Sequence, residues 1–147
     1  MPVTQEPVYA SKAMPWLASY DPKYRDMPAP NCSAFDYICR QTKGHLAECA
    51  LMYYNNHITY ATLFVNVKKT AAALRAAGVA KGDILTAVSV MTPELIYLFY
   101  ACDMVGATLN LVDPRYSPEG INEYIREVDS RMLICMNLFY DKCHQAT

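Results

Sequence analysis

Glycine is scarce in this chain of 147 residues: there are five, at Gly44, Gly78, Gly82, Gly106 and Gly120, and none adjoins another. The motifs G-x-x-x-x-G-K-[ST] and G-x-G-x-x-G are therefore absent, and no phosphate cradle of successive backbone amides can be built from neighbouring residues. G-x-S-x-G and H-E-x-x-H are missing as well, which removes a nucleophile elbow and a helix-borne zinc pair. Charge of one sign is also lacking. Lys and Arg number 13 against 14 Asp and Glu, a net charge of −1, so no basic face invites nucleic acid. No apolar run approaches the roughly 20 residues of a bilayer span. The opening Met1-Pro2-Val3-Thr4-Gln5-Glu6 has no basic stretch followed by an apolar one, so it does not read as a signal peptide. The expectation is a soluble, cytoplasmic protein.

Cysteine is not scarce, yet its pattern is unpromising for metal. Cys32, Cys39, Cys49, Cys102, Cys135 and Cys143 form no Cys-x-x-Cys pair and no spacing typical of zinc. Cys143 and His144 are adjacent, which suits a shared metal poorly. Cys102 falls in an apolar helix and Cys135 in an apolar strand, where thiols act as small hydrophobes. Reduced, structural thiols are expected. His45, His57 and His144 are scattered and read as surface or satisfied residues.

The hydrophobic fraction is 53%, with 18% charged residues, enough for one domain with a core. Residues 1–31 carry Pro2, Pro7, Pro15, Pro22, Pro28 and Pro30 among Tyr9, Trp16, Tyr20 and Tyr24. Proline removes backbone donors, so an extended N-terminal arm is expected there. Residues 32–147 form the body. Ser33 and Asp36 open a short helix with Phe35, Ile38 and Cys39 on one face. Ala50–Tyr54 and His57–Thr59 read as a β-hairpin turning at Asn55-Asn56. Thr59 then caps a helix whose face is Tyr60, Leu63, Phe64, Val67, Ala71 and Leu74, stopped by Gly78.

Ile84–Val90 is a nearly continuous apolar run, the mark of a parallel strand buried on both faces. Thr92-Pro93-Glu94 starts a helix that is apolar nearly all round, and Gly106 ends it. Ala107–Val112 is the next strand. Ser117-Pro118-Glu119 starts a helix with Ile121, Tyr124, Ile125 and Val128 inward, and Arg131–Met136 is a third core strand. Residues after Asn137 begin another helix. Two strand–helix–strand units in succession imply parallel pairing through right-handed crossovers. The fold class is thus α/β: a mostly parallel sheet with flanking helices and Rossmann-like βαβ units, preceded by the arm and the hairpin. Ligands gather at the carboxyl ends of such strands, here Met91-Thr92 and Asp113-Pro114-Arg115. Asp113 and Arg115 can serve a ligand there, or Asp113 simply caps its turn while Arg115 is solvated. Glu119, Glu123 and Glu127 beside Arg126 read as a solvated helix face.

Three segments carry a family resemblance. Ile58-Thr59-Tyr60-Ala61-Thr62-Leu63 opens the long helix, and Gly78-Val79-Ala80-Lys81-Gly82-Asp83 closes it before a strand. The run from Asp103 through Gly106-Ala107 to Asp113-Pro114 gives a helix end, a glycine stop, a strand and a sharp exit. In this order and spacing they resemble the start of an adenylate-forming (AMP-binding) enzyme, the family of acyl-CoA synthetases, luciferases and peptide-synthetase adenylation domains. The likeness runs from about Pro15 to Asn137. Thr62 departs from it, standing where the family often has a glutamate. Pro15-Trp16-Leu17-Ala18-Ser19-Tyr20 resembles the arm of fatty acyl-CoA ligases, which tilts the reading toward an acyl-CoA synthetase and fatty acid metabolism.

The resemblance implies a parent enzyme that is an AMP-forming acid–thiol ligase. It would use ATP, Mg and CoA to turn a carboxylic acid into an acyl-adenylate and then a thioester. The family's phosphate loop, magnesium site and adenylation lysine fall beyond Thr147. No catalytic, cofactor-binding or metal residue is therefore assigned to this chain. Residues 32–147 are expected to be the truncated N-terminal subdomain, an inactive scaffold that needs no cofactor itself and self-associates through uncovered apolar surface. The alternative is a self-contained, non-catalytic α/β module that binds a ligand or partner.

Overall fold

The computed structural model describes residues 9–147. The chain divides into two units, the first ending at Asn31 and the second spanning Cys32–Thr147.

In the first unit the expected extended arm is instead a series of short helical turns: α1 (Ala10–Ala13), a 3-10 turn (Pro15–Ser19) and α2 (Pro22–Arg25). Pro15 and Pro22 explain the difference, because each occupies a first helical position. There the missing N–H is not needed and the fixed φ already suits the helix. Asp21 caps α2 through the Lys23 amide at 2.8 Å. Pro2 and Pro7, also assigned to the arm, lie outside the described residues.

The second unit contains α3 (Ala34–Gln41), β1 (Cys49–Tyr53), β2 (Asn56–Thr59), α4 (Tyr60–Ala76), β3 (Ile84–Val88), α5 (Pro93–Val105), β4 (Thr108–Val112), α6 (Pro118–Glu127), β5 (Met132–Cys135), a 3-10 turn (Asn137–Phe139) and α7 (Tyr140–Gln145). Strands β3, β4 and β5 form a parallel sheet in the order β4-β3-β5, while β1 and β2 form a separate antiparallel hairpin. The mixed α/β class with a parallel sheet is as expected.

Each long helix starts on a hydroxyl cap. Ser33 accepts from the Asp36 amide at 3.1 Å, Thr59 from Thr62 at 3.2 Å, Thr92 from Leu95 at 3.4 Å and Ser117 from Gly120 at 3.2 Å. Gly106, at φ 82°, ends α5 and lets its amide reach back to the Cys102 carbonyl. Several expected boundaries move: β4 begins at Thr108 rather than Ala107, and β5 spans Met132–Cys135 rather than Arg131–Met136. The hairpin turns at Tyr54-Asn55, and Tyr54 rather than an asparagine holds the left-handed conformation, at φ 51°. The run Ile84–Val90 leaves the sheet after Val88, the last residue paired to both β4 and β5.

Side chains of β3 alternate between two cores. Leu85 and Ala87 pack with Ala71 and Leu74 of α4 and with Leu95, Leu98, Ala101 and Cys102 of α5. On the opposite face Val88 packs with Val112, Ile121 of α6, and Cys143 and Ala146 at α7. Thr86 shares that strand, fully buried, and its hydroxyl accepts from the Asn110 side-chain amide at 3.2 Å. A third core joins Phe35, Leu63, Phe64 and Val67 to Ile96, Tyr97 and Tyr100 of α5. Helix α5 therefore buries two faces, which is why its sequence is apolar nearly all round; Glu94 and Phe99 face outward. Asp103 in its last turn accepts from the Phe35 amide at 2.8 Å, fixing the start of α3.

Leu85→Ala is expected to cost about 2–5 kcal/mol, the range for emptying a closed core site. Leu111→Ala, on a side chain 54% exposed, is expected to change stability by no more than about 0.5 kcal/mol. Urea titration of both variants checks this, and equal midpoints would contradict the placement of β3.

Candidate functional site

The carboxyl ends of the strands are where a sheet of this class holds ligands. Three loops meet there: Ser89-Val90-Met91 after β3, Asp113-Pro114-Arg115 after β4, and Met136-Asn137 after β5. Each is held by local bonds. The Ser89 hydroxyl donates to the Val90 carbonyl at 2.9 Å, the Met136 amide to the Val88 carbonyl at 3.1 Å, and the Lys142 ammonium of α7 to the Pro114 carbonyl at 2.8 Å.

Asp113 and Arg115 engage each other. The Asp113 carboxylate accepts from the Arg115 amide at 2.8 Å and from the Arg115 guanidinium at 2.6 and 3.0 Å, a fork closed across the proline. These bonds hold the Asp113 carboxyl down at about 2. Arg115 itself is 89% exposed. Asp113 thus caps its turn, and Arg115 is its partner as well as solvated. Beside them the Tyr116 and Tyr124 hydroxyls meet at 3.1 Å.

Clefts open around these loops. One of about 660 Å³ lies between α4, α5 and the end of β5, walled by Leu74, Leu98 and Ile134 and edged by Thr70, Ser89 and Asn137. Another of about 420 Å³ runs along Met91, Leu111, Asp113 and Arg115. A third of about 380 Å³ lies between the hairpin and α5, beside Leu51, Tyr60 and Phe99. Their walls are mainly apolar, suited to packing and offering little to a reacting group.

Among the described residues no three His, Cys, Asp or Glu side chains converge on a possible metal position. All six cysteines are unbridged thiols, with Cys102 and Cys143 buried. Burial pushes the Cys102 thiol up to about 11. His45 pairs with Glu48 at 2.6 Å, and His57 lies 3.6 Å from the Cys49 sulfur on the hairpin. The Asp113 carboxylate at the strand ends is bound to an arginine, and among the described residues no glycine loop faces it. The residues present do not fit MgATP, and no step is derived through it. Sequence reasoning missed the Lys142 brace on the Pro114 carbonyl, because 28 positions of separation say nothing about a late helix meeting a strand-end loop.

The same α/β fold is found in solved CoA ligases and in an adenylation protein. A benzoate CoA ligase from Burkholderia xenovorans LB400 superposes with a TM-score of 0.74 at 19% identity, over 78% of this chain and 23% of that one. The N-terminal subdomain of Klebsiella oxytoca NpsA gives 0.69 at 24% identity, over 73% and 28%. At those identities the likeness is one of fold. In sequence, the model of the AMP-binding enzyme family matches residues 38–147, and the chain belongs to that family. It is 34% identical to an acetyl-coenzyme A synthetase of Allorhizobium ampelinum over 107 residues, 69% of this chain and 16% of that relative. It is 28% identical to the 4-coumarate–CoA ligase CCL1 of Humulus lupulus over 90 residues, 61% and 16%. The chain spans about a sixth of the length of these curated relatives.

Because the folded Asp113 carboxyl lies below its ordinary 3.8, its stabilising contribution is present above about pH 4. It is lost as pH falls through about 2. Carboxyl-carbon NMR is expected to show a midpoint near 2 for Asp113, moving up to the ordinary range in Arg115→Ala.

Proposed function

We propose that this chain is the N-terminal scaffold of an ATP-dependent, AMP-forming ligase of the acyl-CoA synthetase type. The observation that carries the reading is the family match over residues 38–147 together with a span of about a sixth of the synthetases it resembles. The family likeness implies that in the whole enzyme a carboxylate would displace pyrophosphate from ATP to form an acyl-adenylate, and that a thiol such as CoA would then take the acyl group and release AMP. Preorganised donors and the metal stabilise the phosphate charge in such a transfer. This chain's own share is positional: β3, β4 and β5 set three braced loops at one end of a rigid sheet.

The apolar clefts support that division of labour. We assign their cover to the remaining polypeptide of the same enzyme rather than to a separate partner. No helix among the described residues is long and apolar enough to cross a membrane, and a cytoplasmic setting suits substrates of this class.

Carboxylate-dependent exchange of pyrophosphate into ATP tests the reading. The chain alone is expected to show none with acetate, benzoate or longer fatty acids, whereas a version extended to the length of its relatives is expected to show robust exchange. Activity of the chain alone would overturn the scaffold assignment. Sedimentation across a concentration series is expected to show self-association of the chain alone. A strictly monomeric species with no dye-binding apolar surface would favour a self-contained binding module.

A further inference from the structure

Strand β1 does not alternate plainly between its two faces. Cys49 pairs with Thr59 and Leu51 with Ile58, so the register shifts between them, a bulge in β1. An unbroken period of two would put Cys49 on the face of Leu51, which packs against the third core. The shift groups it instead with Thr59, His57 and Met52, and Met52 is 69% exposed. There the Cys49 sulfur lies 3.6 Å from Nδ1 of His57 and 3.3 Å from the Leu51 carbonyl oxygen, two acceptors for one thiol proton. The neighbouring Glu48 carboxylate is taken up by His45 at 2.6 Å.

The other thiols are placed differently. Of the six cysteines Cys49 alone is exposed. Burial pushes the Cys39 and Cys102 thiols up, against loss of the proton that a sulfur nucleophile must give away. An exposed thiol beside an imidazole has both access and a proton carrier. Attack on a carbonyl would also call for donors aimed at a developing oxyanion. Attack on a disulfide calls for none, because the charge passes from one sulfur to another.

We propose that Cys49 is a site of reversible S-thiolation by a low-molecular-weight disulfide, with His57 carrying the proton. The thiol proton moves to Nδ1 of His57 as the Cys49 sulfur attacks one sulfur of the disulfide. The new S–S bond forms, the old one breaks, and the departing thiolate takes the proton back from the imidazolium. One disulfide and one protein thiol become a mixed disulfide and one small thiol, with no outside oxidant. Excess small thiol runs the same exchange backwards.

Trypsin isolates the site, because cleavage after Lys43 and Lys68 leaves Cys49 as the one cysteine of peptide 44–68. Brief treatment of the folded chain with oxidised glutathione is expected to load one glutathionyl group per chain, on that peptide, and dithiothreitol to remove it. His57→Gln is expected to slow the loading of Cys49 at least several-fold and to leave the rates of the other five thiols unchanged. Cys49 is also expected to react faster in the folded chain than in the urea-unfolded one. Accessibility alone gives the opposite order, since unfolding frees the sulfur further while removing the imidazole. First loading on another cysteine, an unchanged Cys49 rate in His57→Gln, or an unfolded rate that equals or exceeds the folded one overturns the proposal. The folded and unfolded wild-type rates decide the matter even if His57→Gln does not fold.

Discussion

Everything in the second unit depends on β3 having no solvent face. A parallel strand paired on both edges must bury side chains in both directions, and Leu85 and Ala87 point into one core while Thr86 and Val88 point into the other. That requirement recruits α4 and α5 to one side and α6 and α7 to the other. It also explains why a threonine at the centre of the sheet is tolerated: Asn110 of β4 supplies its missing partner.

The amino ends of the three strands are tied through one residue. The Asp83 carbonyl accepts from the Thr108 amide at 2.8 Å, and its carboxylate accepts from the Ala80 amide at 2.9 Å and from Arg131 at 3.0 Å. The Gly82 amide meanwhile reaches the Gly106 carbonyl at 2.9 Å. Register is thus set at the end of the sheet away from the candidate site, by residues that need take no part in chemistry. Helix α5 extends the same frame outward, since its second apolar face carries α3 and the hairpin.

What the sequence made legible were features governed by neighbours in the chain. The caps Ser33, Thr59, Thr92 and Ser117, the stop at Gly106 and the two-sided burial around Ile84–Val88 all follow from local pattern. What it hid depended on contacts across space. Strand β3 does not continue to Val90 because β4 and β5 end level with Val88, so Ser89 and Val90 have no ladder to join. Tyr54 rather than Asn55 turns the hairpin because register is fixed by the pairing of Tyr53 with Asn56, whatever residue suits a left-handed backbone best. The prolines of the first unit start helical turns where an extended chain was expected, since position within a turn decides whether a proline is harmful. At the candidate site the Asp113–Arg115 turn was readable as a short-range motif, while the brace from Lys142 was not.

The braces bear on how such a sheet can serve chemistry it does not perform. A loop that must receive a later segment of chain is most useful when its backbone is already fixed, because the ordering entropy has been met on folding. Asp113 and Arg115 satisfy each other, Lys142 pins Pro114, and Met136 is bonded to the end of β3. Beyond β4 and β5, each strand presents an edge with no partner strand among the described residues. Edges of that kind are ordinarily paired or covered. Rigid loops and open edges on one parallel sheet are complementary properties: the first fixes where added structure would sit, and the second supplies the backbone groups that would hold it.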